Sequence, residues 1–224
     1  MTNPTAAPRD DLFTHIHKGL RLALFDVTVT AGRTEWADHG EVAALGARWR
    51  PLLGLLRAHT CHEEDHIFRL LDHHDPIATE ADSEQHRDLD DLLEHVAEHF
   101  EAVLAAPNPA DGLSLYRDLT RFVAAYLPHL HDEETRVMGR IWECCSDEEI
   151  AAGRSRMMAD MTPEIQAVSL QYILPAIDQA TRRAMAAGLI GAPQPMIEVV
   201  LAIAEDVLQQ DDAAELRALV GSNS

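Results

Sequence analysis

The chain has 224 residues, 46% of them hydrophobic, with 18 Lys and Arg against 38 Asp and Glu for a formal charge of −20. That length suits one core with an extension, and the hydrophobic content is far from that of disordered chains. So acidic a surface repels phosphate backbones and anionic lipid heads, which argues against nucleic-acid partners and membrane-surface roles. Apolar positions recur at intervals of three and four, and strand-like alternation is hard to find, so an all-α fold is expected. Met1 to Asp11 lacks a basic stretch followed by an apolar one, and no later run is long enough for a membrane span. The expectation is a cytoplasmic protein.

In chain order, a first helix is expected from about Asp10 to Val29, ended by Thr30-Ala-Gly-Arg33. A second runs from about Glu41 to Leu71, with Pro51 kinking it or splitting off its first turns, until the Asp72 to Pro76 cluster stops it. The third starts near Ser83, where Ser83-Glu-Gln-His86 is close to a capping arrangement, and ends at Ala106 before Pro107-Asn-Pro109. The fourth spans about Asp111 to Cys145, with a local kink at Pro128. Ser146-Asp-Glu-Glu149 is a capping box that opens a further helix, and Thr162-Pro163 sets proline at the first position of another. After a break at Gly188 to Pro195, a last pair covers Met196 to Gln209 and Asp212 to Val220. Four long helices with short connections predict an up-down-up-down four-helix bundle over residues 1–145, with 146–224 as a C-terminal helical extension packed on it.

The composition is unusual in its 13 histidines. His59 and Glu63 on the second helix are four apart, and His129 with Glu133 on the fourth repeats the spacing. A separation of four returns to the same helix face one turn on, so imidazole and carboxylate can point at one object. At 100° per residue, Glu63 lies within about 10° of the centre of the apolar stripe, and Glu133 within about 40° of its own. A carboxylate on an apolar stripe is costly unless it is paired, protonated or bound to a cation. On the first helix His17 lies nearer the stripe of Phe13, Ile16, Leu20 and Leu24 than His15 does, and on the third His86 borders the stripe of Leu89, Leu93, Val96 and Phe100. Counting back from the helix corners sets His86 level with His129 and His17 near the level of His59.

The set His17, His59, Glu63, His86, His129 and Glu133 resembles the hemerythrin-like HHE cation-binding family. The motifs that carry the resemblance are His17-Lys-Gly-Leu-Arg21, the HxxxEExxxF of His59 to Phe68, the QHRDL around His86, and the HxxxEE of His129 to Glu134. The resemblance spans about residues 10–145. It implies a non-haem di-iron centre of two iron ions bridged by Glu63 and Glu133 and by an oxo or hydroxo group, with the four histidines as terminal ligands. The family's oxygen carriers use five histidines. Here Asp90 stands where they have the fifth, and the carboxylate of helix four follows its histidine by four rather than five. These departures argue against reversible oxygen carriage and imply a more open coordination sphere, as in relatives linked to peroxide or nitric oxide chemistry or to oxygen and iron sensing. The leading expectation is a di-iron oxidoreductase of peroxidase, catalase-like or oxidase type, with O2, peroxide or NO as small ligands, in a monomer or homodimer. The alternative is an oxygen, redox or iron-sensing module without turnover.

Simpler readings stand beside these. His62-Glu63-Glu64-Asp65-His66 also fits HExxH, the helix of zinc proteases, but leaves the second His/Glu pair unexplained. A ferritin-like site wants two Glu-x-x-His pairs, and only Glu63 with His66 has that spacing. A single HxxxE is ordinarily a surface pair; two with core-facing glutamates and level histidines favour metal. A metal-free structural bundle is the remaining possibility. His15, His39, His62, His66, His73, His74, His95, His99 and His131 read as surface or loop groups, with His62 or His66 as an outer partner of a metal ligand. Cys61 reads as a packed thiol, Cys144 and Cys145 as reduced thiols, and Met157, Met158, Met161 and Tyr172 as packing of the extension.

Overall fold

The computed structural model describes residues 9–72 and 74–221, so the expectation for His73 lies outside the described residues. The bundle is built from α1 (Thr14–Arg33), α2 (His39–His62), α3 (Glu80–Ala105) and α4 (Pro109–Asp132), and the described residues contain no strand. α1 and α3 each pack against both α2 and α4, which closes the ring of an up-down-up-down bundle. Neither α2 nor α4 simply stops. Each widens into a single π turn, Glu63–Ile67 and Glu133–Val137, followed by a 3₁₀ turn (Phe68–Leu70) in the first case and α5 (Met138–Cys144) in the second.

Local chemistry sets most of the helix ends. Asp38 accepts from the backbone N–H groups of Gly40 and Glu41 to cap α2, and Asn108 caps α4 ahead of Pro109. Three boundaries differ by three or more residues from those expected, the first being the start of α1 at Thr14 rather than about Asp10, where the Asp11 carboxylate accepts from the backbone N–H groups of Phe13 and Thr14. α1 runs on to Arg33 because its buried stripe continues through Val27 and Ala31. α3 begins at Glu80 rather than Ser83, and Ser83 caps nothing; its hydroxyl donates to Glu64 at 3.0 Å. α2 also passes through Pro51 unbroken. Pro51 and Pro128 are exposed, as are Ala47 and Ala124, so the carbonyls that lose their N–H donors to these prolines can be hydrated.

The apolar core forms two clusters. The larger holds the main length of the bundle, with Trp49 stacked on Phe100 at 4.5 Å, and includes Leu20, Leu56, Leu89, Tyr126 and Leu130. The smaller holds Phe13, Ile67, Phe68, Val137, Met138 and Ile141 at the other end. Along α1, α2 and α4 the polar positions fall between these clusters. A Cβ on Gly112 would stand 2.1 Å from the buried Trp36 indole. Gly112→Ala is therefore expected to lower stability by about 1–3 kcal/mol through overpacking, read as a drop in thermal midpoint. Gly54→Ala, where a Cβ meets nothing within 4 Å, is the control and should leave the midpoint unchanged or higher.

Five further helices follow: α6 (Asp147–Asp160), α7 (Pro163–Ala176), α8 (Gln179–Gly188), α9 (Gln194–Val207) and α10 (Gln210–Gly221). The capping box of Ser146 and Glu149 opens α6 as expected. The helix expected to open at Thr162-Pro163 is followed by a second before the break near Gly188, because the Asp178 carboxylate accepts from Thr181 N–H at 3.0 Å and starts α8 afresh. α6 packs on the π and 3₁₀ turns that end α2, while α7 lies along α1 and α2. α1 and α7 approach so closely that a Cβ on Gly19 would stand 3.0 Å from the backbone of Tyr172 and Ile173. α7 to α10 share an apolar cluster of their own around Leu174, Leu201, Ala204 and Leu216. Among the described residues no helix is long and apolar enough to cross a membrane.

Candidate metal centre

His59 and His129 occupy the last turns of α2 and α4, and Glu63 and Glu133 open the two π turns. The N–H of each glutamate is shared between two carbonyls, His59 and Thr60 for Glu63, His129 and Leu130 for Glu133. The widening shows one turn on, where Phe68 N–H donates to the Glu63 carbonyl and Met138 N–H to the Glu133 carbonyl, each five residues back, and such π turns are frequent at functional sites. α1 and α3 bring His17 and His86 to the same level, so the polar layer lies between the two apolar clusters. All six side chains are buried, from 0% exposed for His17 and Glu133 to 6% for His59.

The four imidazole Nε2 atoms converge on the two carboxylates. His59 Nε2 lies 3.1 Å from Glu63, His129 Nε2 3.4 Å from Glu133, and His17 Nε2 3.4 Å from Glu63 and 3.6 Å from Glu133. His86 Nε2 lies 3.4 Å from Glu63 and 3.3 Å from Glu133. The donor atoms fall into two groups, His17, His59, Glu63 and Glu133, and Glu63, His86, His129 and Glu133, each within 4.8 Å. The groups share both carboxylates. Yet His59 Nε2, His86 Nε2, Glu63 Oε2 and both Glu133 oxygens have no hydrogen-bond partner among the described residues. Buried polar atoms facing one another unbonded call for an ion between them, so the donor set fits a metal.

The model of the hemerythrin HHE cation-binding domain matches residues 9–141, more than half of the chain. The chain belongs to the hemerythrin HHE cation-binding family. No match was found among curated proteins or among solved structures.

Around this HHE cluster stands a second set of groups that sequence reasoning did not assign. Glu64 accepts from His86 Nδ1 at 2.8 Å, and Glu134 accepts from His17 Nδ1 at 3.1 Å while Arg21 holds it from the other side. His129 Nδ1 donates to Gln85 at 3.1 Å. Such bonds fix the tautomer, leaving Nε2 free to face a cation. The signal in the sequence was the doubled glutamate of both motifs: the first residue of each pair points inward, and the second reaches sideways to a histidine on another helix. Tyr126 also escaped assignment. Its ring lies 5.9 Å from that of His129, and its buried hydroxyl has no partner among the described residues.

The electrostatics of the metal-free cluster follow from burial and pairing. Burial drives His59 down to about 3, and burial with the charge of His86 drives His129 down to about 4, so both are neutral. Burial also opposes charge on His17, but its bonds to Glu134 and Glu63 prevail and raise it to about 9. His86 is raised to about 11 against burial by Glu133, Glu63 and Glu64. Two facing carboxylates cannot both ionise freely. Burial and the charge of Glu63 push Glu133 up to about 8, while the surrounding histidines hold Glu63 below its ordinary value despite burial. Burial and the charges of Glu63 and Glu133 keep the Tyr126 phenol protonated.

The remaining sequence candidates lie elsewhere. His15 is half-buried and outside both ligand groups, and Asp90 is exposed. His66 meets Asp160 at 3.2 Å instead of completing a zinc site with His62. His99 bonds Asp118 at 2.8 Å near His95, outside the centre. Cys61 is exposed, which corrects its reading as a packed thiol. The buried Cys145 thiol bonds the Leu70 carbonyl at 3.4 Å, and burial raises its pKa.

Proposed function

We propose that this chain is a non-haem di-iron protein that reacts with O2 or peroxide, with NO as a further small ligand. One observation carries the reading: the two four-residue groups share Glu63 and Glu133. In that reading His17, His59, Glu63 and Glu133 would hold one ion, and Glu63, His86, His129 and Glu133 would hold the other. Mixed imidazole and carboxylate ligation suits iron, manganese or zinc, and iron follows from the family. Bound iron would supply one electron from each ion to O2 or peroxide. The chain's part is to fix the tautomers of His17, His86 and His129 through their Nδ1 bonds, to offset cationic charge with Glu63 and Glu133, and to add the outer carboxylates Glu64 and Glu134. The apolar clusters on either side keep bulk water away, and Tyr126 retains a phenol proton beside the His129 ring.

Elemental analysis with Mössbauer spectroscopy tests this directly. Two irons per chain in a coupled pair are expected, and a protein that holds one ion or none after anaerobic loading would overturn it. Glu134→Gln should weaken metal retention about 10- to 100-fold in a chelator competition, because His17 loses the carboxylate that orients it.

A second reading, a sensor without turnover, is favoured by the position of the extension. α6 rests on the π turn that begins with Glu63, and α7 rests on α1, which carries His17. Metal occupancy that changed protease protection of residues 146–224, with no consumption of hydrogen peroxide, would select it. Peroxide turnover would select the oxidoreductase.

A further inference from the structure

A cavity of about 300 Å³ lies between the bundle and the C-terminal helices, and His59 and Glu63 form part of its wall. Its lining is otherwise mainly apolar, with Leu55 from α2, Leu170 and Ile173 from α7, and Val200 from α9. Met157, Met158, Met161, Met185 and Met196 line it as well, five of the chain's 7 methionines. These methionines therefore do more than pack the extension. Unbranched, polarizable thioethers form an apolar wall that adapts to varied shapes. A cavity of 150 Å³ is enough for benzene, so this one suits an apolar molecule of roughly ten to twelve heavy atoms.

Polar features of the lining narrow the chemistry. His62 Nδ1 and Arg154 Nε are buried with no hydrogen-bond partner among the described residues, and both residues line the cavity. An oxygen acceptor on the bound molecule would satisfy such a donor. The two lining arginines are already engaged, Arg154 by Asp10 and Arg182 by Asp212 at 2.8 Å, while Asp11 and Glu63 add negative charge. A carboxylate would enter with no free guanidinium to balance it, so an uncharged acceptor is preferred.

We propose that this cavity binds an uncharged, apolar organic molecule bearing one oxygen acceptor, such as a medium-chain ketone, against the wall formed by His59 and Glu63. This binding stands on the lining of the cavity and does not rest on the di-iron reading. The test is calorimetric titration of 2-nonanone into the full-length protein, both chelator-treated and iron-loaded under anaerobic conditions. Saturable binding of one molecule per chain is expected in both forms, with octanoate at least tenfold weaker. Met185→Trp and Val200→Trp, which fill the cavity from α8 and α9, should each weaken ketone binding at least tenfold while far-ultraviolet helicity and iron content stay as in the parent. Absence of saturable binding in the parent, octanoate binding as tightly as the ketone, or unchanged affinity in both folded tryptophan variants would overturn the proposal. Ketone binding in a protein that retains no iron would defeat the metal reading alone, and iron retention without ketone binding would defeat this one alone.

Discussion

A chain carrying Glu63→Gln and Glu133→Gln together is expected to retain no bound metal after dialysis, and to lose all of the thermal stabilisation that metal gives the parent. An ion held at a thousand times its dissociation constant adds about 4 kcal/mol to folding, so the loss is large on the scale of domain stability. The single variants separate ligation from folding. In the metal-free parent burial and the charge of Glu63 push Glu133 up, so Glu133→Gln removes less charge from the cluster than Glu63→Gln does. Its metal-free thermal midpoint should fall less than that of Glu63→Gln. Glu63 is ionised and accepts from His17 at 3.4 Å, with His86 at a similar distance, so Glu63→Gln should lower the metal-free midpoint as well as metal retention. Metal analysis and melting curves with and without chelator check both statements. A metal-free structural bundle makes the opposite prediction: chelator would leave the parent's midpoint unchanged, and the parent itself would carry no metal.

How much of this was legible in the sequence depends on the range of the interaction that decides each feature. The inward direction of Glu63 and Glu133 follows from helical periodicity alone, because each glutamate is flanked on its own helix by the apolar residues of the stripe. The family motifs in order likewise pointed to the bundle, and the family match over residues 9–141 agrees. The π turns were not legible, since a wheel at 100° per residue assumes a uniform helix, and nothing in EEDHI or EETRV declares the wider turn. Glu64 and Glu134 were given no role, because in the fold they span the seam to His86 and His17 on other helices, a contact that no single helix encodes. The start of α3 was misplaced because Ser83 and Asp82 find partners on other segments, Glu64 and Arg136, rather than on their own backbone. Least legible was the cavity. Its lining comes from α1, α2 and every helix from α6 to α10, and no local pattern encodes how those helices meet.

Metal uptake is expected to release protons near pH 7, and overall metal affinity to rise with pH across the neutral range. In the metal-free cluster the protons are shared among His17, His86 and Glu133, all of which are raised above their ordinary values, the histidines by the facing carboxylates and Glu133 by burial and the charge of Glu63. His59 and His129, lowered to about 3 and 4, carry none at Nε2. Coordination through Nε2 and the carboxylate oxygens requires those protons to leave, so each contributes up to one logarithmic unit of affinity per pH unit below its pKa. The sign for the metal-free fold is opposite. Groups whose folded pKa exceeds the unfolded value contribute stability that is fully present below the unfolded value and disappears as pH rises through the folded one. His17 and His86 thus stabilise the metal-free chain most below 6.5, and that contribution falls away through pH 9 and beyond. Glu134 works from the acid side, since its pKa, lowered to about 2 by His17 and Arg21 against burial, makes its contribution present above 4.5 and lost as pH falls towards 2. Metal-free and metal-loaded melting curves should therefore separate increasingly as pH rises from 6.5 to 9, while a pH-stat titration counts the protons. Proton release near zero, with curves that keep a constant separation, would mean that the six buried groups bind no ion through the atoms that face one another.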